Sequence, residues 1–160
     1  MSKSKSFSIG ILSSKYGEHL EIMFNMARVF GANSIFGVGT KWSSYSIPNS
    51  KNRRTEHYPP YDYFPTFEEF IANHVEPSCS ELVIVDTRLI SDNAEPLENF
   101  VHPEKATYLF IGRDSFWPTK VLEKAGFHVK ISDDLTVTPG TAGAILLYDR
   151  HFKFRKEYLP

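Results

Sequence analysis

Six histidines, one cysteine and a few short polar clusters are the residues of this chain whose types could do chemistry. His19, His57, His74, His102, His128 and His151 show no His-x-x-x-His spacing and no pairing with Cys79, so no metal site is expected. Ser13-Ser14 follows an apolar run but lacks the Gly-x-Ser-x-Gly elbow of a hydrolase nucleophile. Asp133-Asp134 reads as a solvated turn. Gly37-Val38-Gly39 is a lone Gly-x-Gly that turns the chain, and neither a dinucleotide-binding glycine fingerprint nor a P-loop is present. What remains is a set of backbone-rich loops: Gly112 after one apolar run, and Leu135 to Gly143 (LTVTPGTAG) before the last helix. Such loops present main-chain donors and acceptors, which suits an adenine edge and a ribose held by backbone groups.

These loops need elements to position them. Phe7 to Leu12 is an apolar run that suits a buried strand, and Glu18 to Phe30 places Leu20, Met23, Phe24, Ala27 and Phe30 at helical spacing, with Gly31 as the stop. Ser34 to Val38 is a second strand, completing a βαβ unit. Residues 41–65 break the pattern with four prolines and form a long loop, interrupted by a marginal strand at Tyr61 to Phe64. Thr66 caps a short helix with Glu69 three residues on. Further strands are expected at Leu82 to Val85, Tyr108 to Ile111 and Phe127 to Ile131, with a helix from Pro118 through Ala125 that Gly126 ends. Thr141 to Phe154 is the closing helix, with Ala142, Ile145, Leu146 and Tyr148 facing a packed partner. Apolar strands alternating with helices indicate an α/β fold, a mostly parallel sheet covered by helices on both faces, in one domain over 1–160. Its ligand site is expected outside the carboxyl ends of the strands.

The 160 residues carry a net charge of −1, which excludes a histone-like polycation. The charge is unevenly laid out: residues 1–55 hold 8 basic and 2 acidic side chains, residues 56–104 hold 1 and 11, and residues 105–160 hold 9 and 6. Within the first third, Lys41 to Arg54 (KWSSYSIPNSKNRR) has four basic residues, no acidic one, and Trp42 and Tyr45. Cations track phosphate and aromatics stack on splayed bases, so Lys41, Trp42, Lys51, Arg53 and Arg54 are candidate RNA contacts. The tail HFKFRKEY has the same interleaving, for which dimer packing is the plainer reading. A single cysteine excludes an internal disulfide, and no apolar run is long enough to span a bilayer, so a soluble, cytoplasmic protein with no membrane partner is expected.

The order of motifs then matters. The first helix running into FGANSIFGV, followed by YLFIGRDSFWP and by HVKISDDLTVTPGTAGAILLYDR, resembles the three motifs of the SpoU (TrmH-like) branch of the SPOUT superfamily of RNA methyltransferases. The likeness spans nearly the whole chain and is closest in form to minimal members without extra domains; KNRRTEHY resembles their basic segment after the second strand. The resemblance implies a C-terminal trefoil knot, a homodimer, and S-adenosyl-L-methionine bound in the knot loops. Carried across by position, Thr87, Ile111, Gly112, Ile131, Thr136 and Val137 would meet the cofactor. The family's Asn-x-Gly-x-x-x-Arg falls on His19, Glu21 and Asn25, with Arg28 one helical turn beyond. Asp114 stands where the family has glutamate, and Ser-Leu-Asn becomes Thr136-Val137-Thr138.

Most members of this branch methylate a ribose 2'-hydroxyl in tRNA or ribosomal RNA. That chemistry needs in-line placement and a group to accept the hydroxyl proton. Arginine holds its own proton too tightly to serve as that base. Arg28 is therefore expected to position phosphate and hydroxyl, and His19 to accept the proton, with Asp114 and Thr138 completing the catalytic set. The plainer reading of His19 is an exposed residue in a helix's first turn. Two alternatives stand beside the enzyme: a catalytically inactive SPOUT-fold protein that binds cofactor or RNA, and an unrelated small nucleotide-binding or interaction module.

Overall fold

A computed structural model of the chain describes residues 5–12, 17–39, 59–86, 93–111, 116–131 and 137–156, with side-chain surroundings from residue 22 in the first helix and to residue 155 in the last. Apolar runs form the strands: β1 (Ser6–Leu12), β2 (Ser34–Val38), β3 (Tyr61–Phe64), β4 (Glu81–Asp86), β5 (Glu95–Pro96), β6 (Lys105–Ile111) and β7 (Phe127–Lys130). They make one seven-stranded sheet in the order β3-β2-β1-β6-β4-β7-β5. Every pairing is parallel.

Alternate residues along each strand point to opposite faces, and both faces are buried. One face presents Ile9, Ile11, Val83, Val85, Tyr108, Phe110 and Val129 to α1 (Gly17–Phe30) and α5 (Pro139–Lys156). The other presents Leu12, Phe36, Leu82, Ile84 and Leu109 to a helical segment at residues 67–78 and to α4 (Thr119–Lys124). That helical segment is α2 (Phe67–Phe70), a π-helical stretch (Ile71–Val75) and α3 (Glu76–Ser78), begun by the Thr66 hydroxyl accepting from the Glu69 N–H at 3.2 Å. Gly10 lets Phe36 lie across β1, because a Cβ there would collide with the Phe36 carbonyl and ring. Gly31, at φ 78°, ends α1 in the left-handed conformation that favours glycine.

The chain enters β6 between β1 and β4, then crosses β4 to reach β7, while the connection from β4 crosses β7 to reach β5. These two connections include residues 87–92 and 112–115, and residues 132–136 join β7 to α5; all three segments, and with them the expected knot, lie outside the described residues.

The sequence places the core strands and helices well but misassigns one face of α5. Ala142 and Leu146 are buried as expected, whereas Ile145 is 41% and Tyr148 61% exposed. The inward stripe is instead Ala142, Leu146, Leu147 and Arg150. A charged residue takes the inward position because its guanidinium finds acceptors there: Nη1 donates to the Pro103 carbonyl and the Tyr108 hydroxyl, both at 2.8 Å, and Nη2 to the Glu104 carbonyl at 3.0 Å. No helix among the described residues is long and apolar enough to cross a membrane.

Candidate functional site

The carboxyl ends of β6, β4 and β7 lie side by side, and the candidate cofactor residues flank them. Ile111, the last residue of β6, is buried; Ile131, one residue past β7, and Val137, two residues before α5, are half-buried and pack on the same core. Ile131 and Val137 thus share the core on the α1 and α5 face of the sheet, while Ile111, two residues after Leu109, ends β6 on the other face. Between them β4 ends at Asp86, immediately before Thr87. Thr87, Gly112, Asp114 and Thr136 lie outside the described residues, as do Lys41, Trp42, Lys51, Arg53 and Arg54.

Asp86 is a site residue that sequence reasoning did not single out. Its carboxylate is buried and accepts from Trp117 Nε1 and from His128 Nε2, each at 2.6 Å. Three chain segments are pinned at the strand ends by this one group: β4, the approach to α4, and β7. Its partners lie 31 and 42 residues away, so only the tertiary fold reveals the cluster.

Thr138 has a structural part here. Its hydroxyl donates to Thr141 Oγ1 at 3.0 Å and accepts from the Thr141 N–H at 3.3 Å, while its carbonyl accepts from the Ala142 N–H. It fixes the start of α5, and with it Val137. His19 belongs to the first turn of α1, which leaves the carboxyl end of β1; Arg28 is exposed in the last turn. At 1.5 Å of rise per residue, about 14 Å of helix separates the two. The fold therefore does not bring Arg28 beside His19 within the chain.

Two further networks organise the opposite half of the molecule. His102 is buried beside Tyr108 and α5: Arg150 donates to the Tyr108 hydroxyl, whose own proton goes to His102 Nδ1 at 2.6 Å, leaving Nε2–H to donate to Asp149 at 2.7 Å. This ordering requires a neutral imidazole, and burial pushes His102 down to about 4 even though Asp149 pulls it up. The same burial raises the Tyr108 phenol to about 12. Lys153 completes the network, donating to the Leu97 and Phe100 carbonyls and pairing with Asp149 at 2.8 Å. At the amino ends of the strands, a hydroxyl chain links Ser8, Thr107, Ser80 and Ser78 to the Val75 carbonyl. Since each hydroxyl proton passes along that chain, His74 Nε2 at 2.8 Å must donate to Ser8. Burial holds His74 below its ordinary value, against the pull of Asp62. His74 and Ser8 are thereby a tie between helix and sheet, with the proton on the side that does not activate a serine nucleophile.

No protein-family model and no curated protein matches the sequence. Solved structures do. The chain superposes over 99% of its length on an rRNA methyltransferase from Sinorhizobium meliloti, with a TM-score of 0.74 and 16% identity. It superposes over 97% on the SpoU methyltransferase AviRb from Streptomyces viridochromogenes in complex with AdoMet, with a TM-score of 0.75 and 13% identity. The chain has the fold of the SpoU methyltransferases. It spans 58% and 60% of the length of those two proteins. A third structure, reported for 2-OH methylation of C/U34 on tRNA, is matched over 96% of this chain and 94% of its own, with a TM-score of 0.74 and 14% identity. Among the described residues no group of three His, Cys, Asp or Glu could hold a metal ion.

Proposed function

We propose that this SpoU-type fold is an S-adenosyl-L-methionine-dependent RNA methyltransferase that modifies a ribose 2'-hydroxyl of tRNA or ribosomal RNA, as a cytoplasmic homodimer with a knotted C-terminal third. The observation that carries the reading is the near end-to-end superposition on a protein of similar length reported for 2-OH methylation of C/U34 on tRNA. The residues present suit the cofactor: Ile131 and Val137 are half-buried apolar side chains on one core, Ile111 ends the neighbouring β6, and in this reading the segments that follow these strands hold the adenine edge through backbone groups. Thr87, Gly112 and Thr136 belong to those segments. When bound, S-adenosyl-L-methionine would supply a sulfonium methyl group whose carbon a ribose oxygen attacks, the C–S bond breaking to release S-adenosylhomocysteine.

The chain's own task is to place the ribose in line and remove its proton. His19 in the first turn of α1 starts at the strand carboxyl ends and is the proton acceptor in this reading, with Asp114 nearby in sequence order to Gly112. Arg28, at the far end of the helix, then holds RNA phosphate rather than the reacting hydroxyl. Lys41, Trp42, Lys51, Arg53 and Arg54 track the RNA backbone and stack on its bases. Thr138 acts as a positioning residue, because it sets the start of α5. Asp86 does the same for the strand ends by tying β4, β7 and Trp117 together.

Dimerisation is supported by an apolar stripe over two adjacent helices. Ile145, Tyr148 and Phe152 on α5, and Ile22 and Val29 on α1, are all between 41% and 62% exposed. The Tyr148 and Phe152 rings stack at 6.4 Å, and Gly140 lets α5 cross closely under Ile22. Contiguous exposed apolar side chains of this kind mark interaction surfaces.

Titration calorimetry of the whole chain with S-adenosyl-L-methionine is expected to show one site per protomer. No detectable heat at micromolar protein would remove the cofactor from this account. Binding without methyl transfer to RNA would favour the inactive SPOUT-fold reading.

A further inference from the structure

A cleft of about 230 Å³ opens at the other end of the sheet, between the start of β1, the end of α1 and the last turns of α5. Lys5, Arg150, His151 and Arg155 line it together with the rings of Phe7, Phe30 and Phe154, and no carboxylate is among the described lining residues. Arg150 is 4% exposed and bonded only to two carbonyls and a hydroxyl, so its charge has no ion-pair partner among the described residues and raises the potential of the cleft floor. Its guanidinium lies 4.5 Å from the Phe154 ring centre and 5.1 Å from that of Phe7, and the Lys5 ammonium lies 4.1 Å from Phe154. The His151 ring sits 5.8 Å from Phe30. Arg155 is exposed at the mouth. The dipole of α5 favours cations along its last turn. It does not account for their convergence with Lys5 on rings contributed by β1 and α1.

We propose that this cleft is a second RNA contact, in which Arg155 and Lys5 take a phosphate and the Phe154, His151 and Phe30 rings receive an unpaired base. The inference rests on RNA being the substrate. It adds a site separated from the carboxyl ends of the strands by the length of β1, about 20 Å for seven residues. The volume is below the roughly 300–1,000 Å³ of sites that enclose a whole small-molecule ligand, and fits one nucleotide of a strand held elsewhere as well. Alternating cations and rings is the chemistry of single-stranded RNA grooves. An RNA strand spanning both ends would be gripped at two points, which improves its affinity without a change at the reacting ribose.

The test is fluorescence anisotropy of a labelled oligouridylate with the full chain, titrated at several salt concentrations. Arg155→Gln combined with Lys5→Gln is expected to weaken binding about tenfold and to reduce the slope of log K against log salt by about 0.7, the value for one phosphate contact on a single strand. Lys120→Gln with Lys124→Gln removes the same charge from α4 and is expected to leave affinity within about twofold. Circular dichroism verifies that each variant is folded. Unchanged affinity and slope in the first variant would overturn the cleft and leave the substrate reading standing, as would an equal loss in the second. A wild-type chain that binds no RNA would overturn both.

Discussion

His102 shows how strongly a single side chain can depend on its surroundings. Its tautomer is dictated by the proton order from Arg150 through Tyr108 to Asp149, and protonation would place a second donor against the Tyr108 hydroxyl. With a folded value of about 4 against an ordinary 6.5, the unfolded chain takes up this proton first as pH falls. The stabilisation is present above pH 6.5 and is lost as pH drops toward 4, amounting to roughly 1 to 2 kcal/mol between pH 6.5 and about pH 5. Urea denaturation across that window is expected to show this slope in the wild type and a flatter one in His102→Gln. Equal slopes would mean that His102 titrates normally. Neither this network nor the Asp86 cluster was legible in the sequence, because each joins residues dozens of positions apart whose types are common on surfaces. The assignment of Ile111, Ile131 and Val137 to the cofactor rests on the resemblance alone. Sequence alone directed attention to the strand ends and stopped there.

At the scale of elements, strands with continuous apolar runs were legible because burial on both faces leaves no polar positions. Ser34–Val38 and Tyr61–Phe64 form where expected, and Thr66 caps its helix. β5 was not legible: two residues, one a proline, in an acidic stretch carry no strand signal, and only pairing with β7 defines them. The π-helical stretch at Ile71–Val75 is equally silent in composition, and its place is fixed by His74 reaching Ser8. The exposed Ile145 and Tyr148 misled the assignment of α5 because apolar type was read as burial, and a charged side chain such as Arg150 carried no signal for the inward face. Gly10 belongs to this scale too, since its missing Cβ sets how closely Phe36 crosses β1. Gly10→Ala is expected to cost about 3 kcal/mol in chemical denaturation, through forced displacement of the β2 backbone. A loss below about 1 kcal/mol would mean that the two strands can separate without strain.

For the whole molecule, near-neutral net charge conceals a division of labour. The acidic block at 56–104 includes β4 and β5 and the acidic partners of α4, with Glu68 and Glu76 beside Lys120 and Lys124. Basic residues concentrate along the sequence in residues 1–55, the segment 41–54 included, and again in residues 105–160, a distribution that suits a polyanionic substrate. The apolar stripe on α1 and α5 is expected to be the dimer surface. Tyr148→Glu with Phe152→Glu should convert a dimer to a folded monomer in light scattering, as both side chains are more than half exposed in the single chain. A wild-type monomer, or a dimer indifferent to both charges, would place the interface elsewhere. The central claim is methyl transfer to ribose, and nucleoside analysis of RNA after incubation with the protein and S-adenosyl-L-methionine tests it most directly. A 2'-O-methylated nucleoside absent from the protein-free control is the predicted result; RNA that stays unmodified, or that carries its new methyl group on a base, would contradict it.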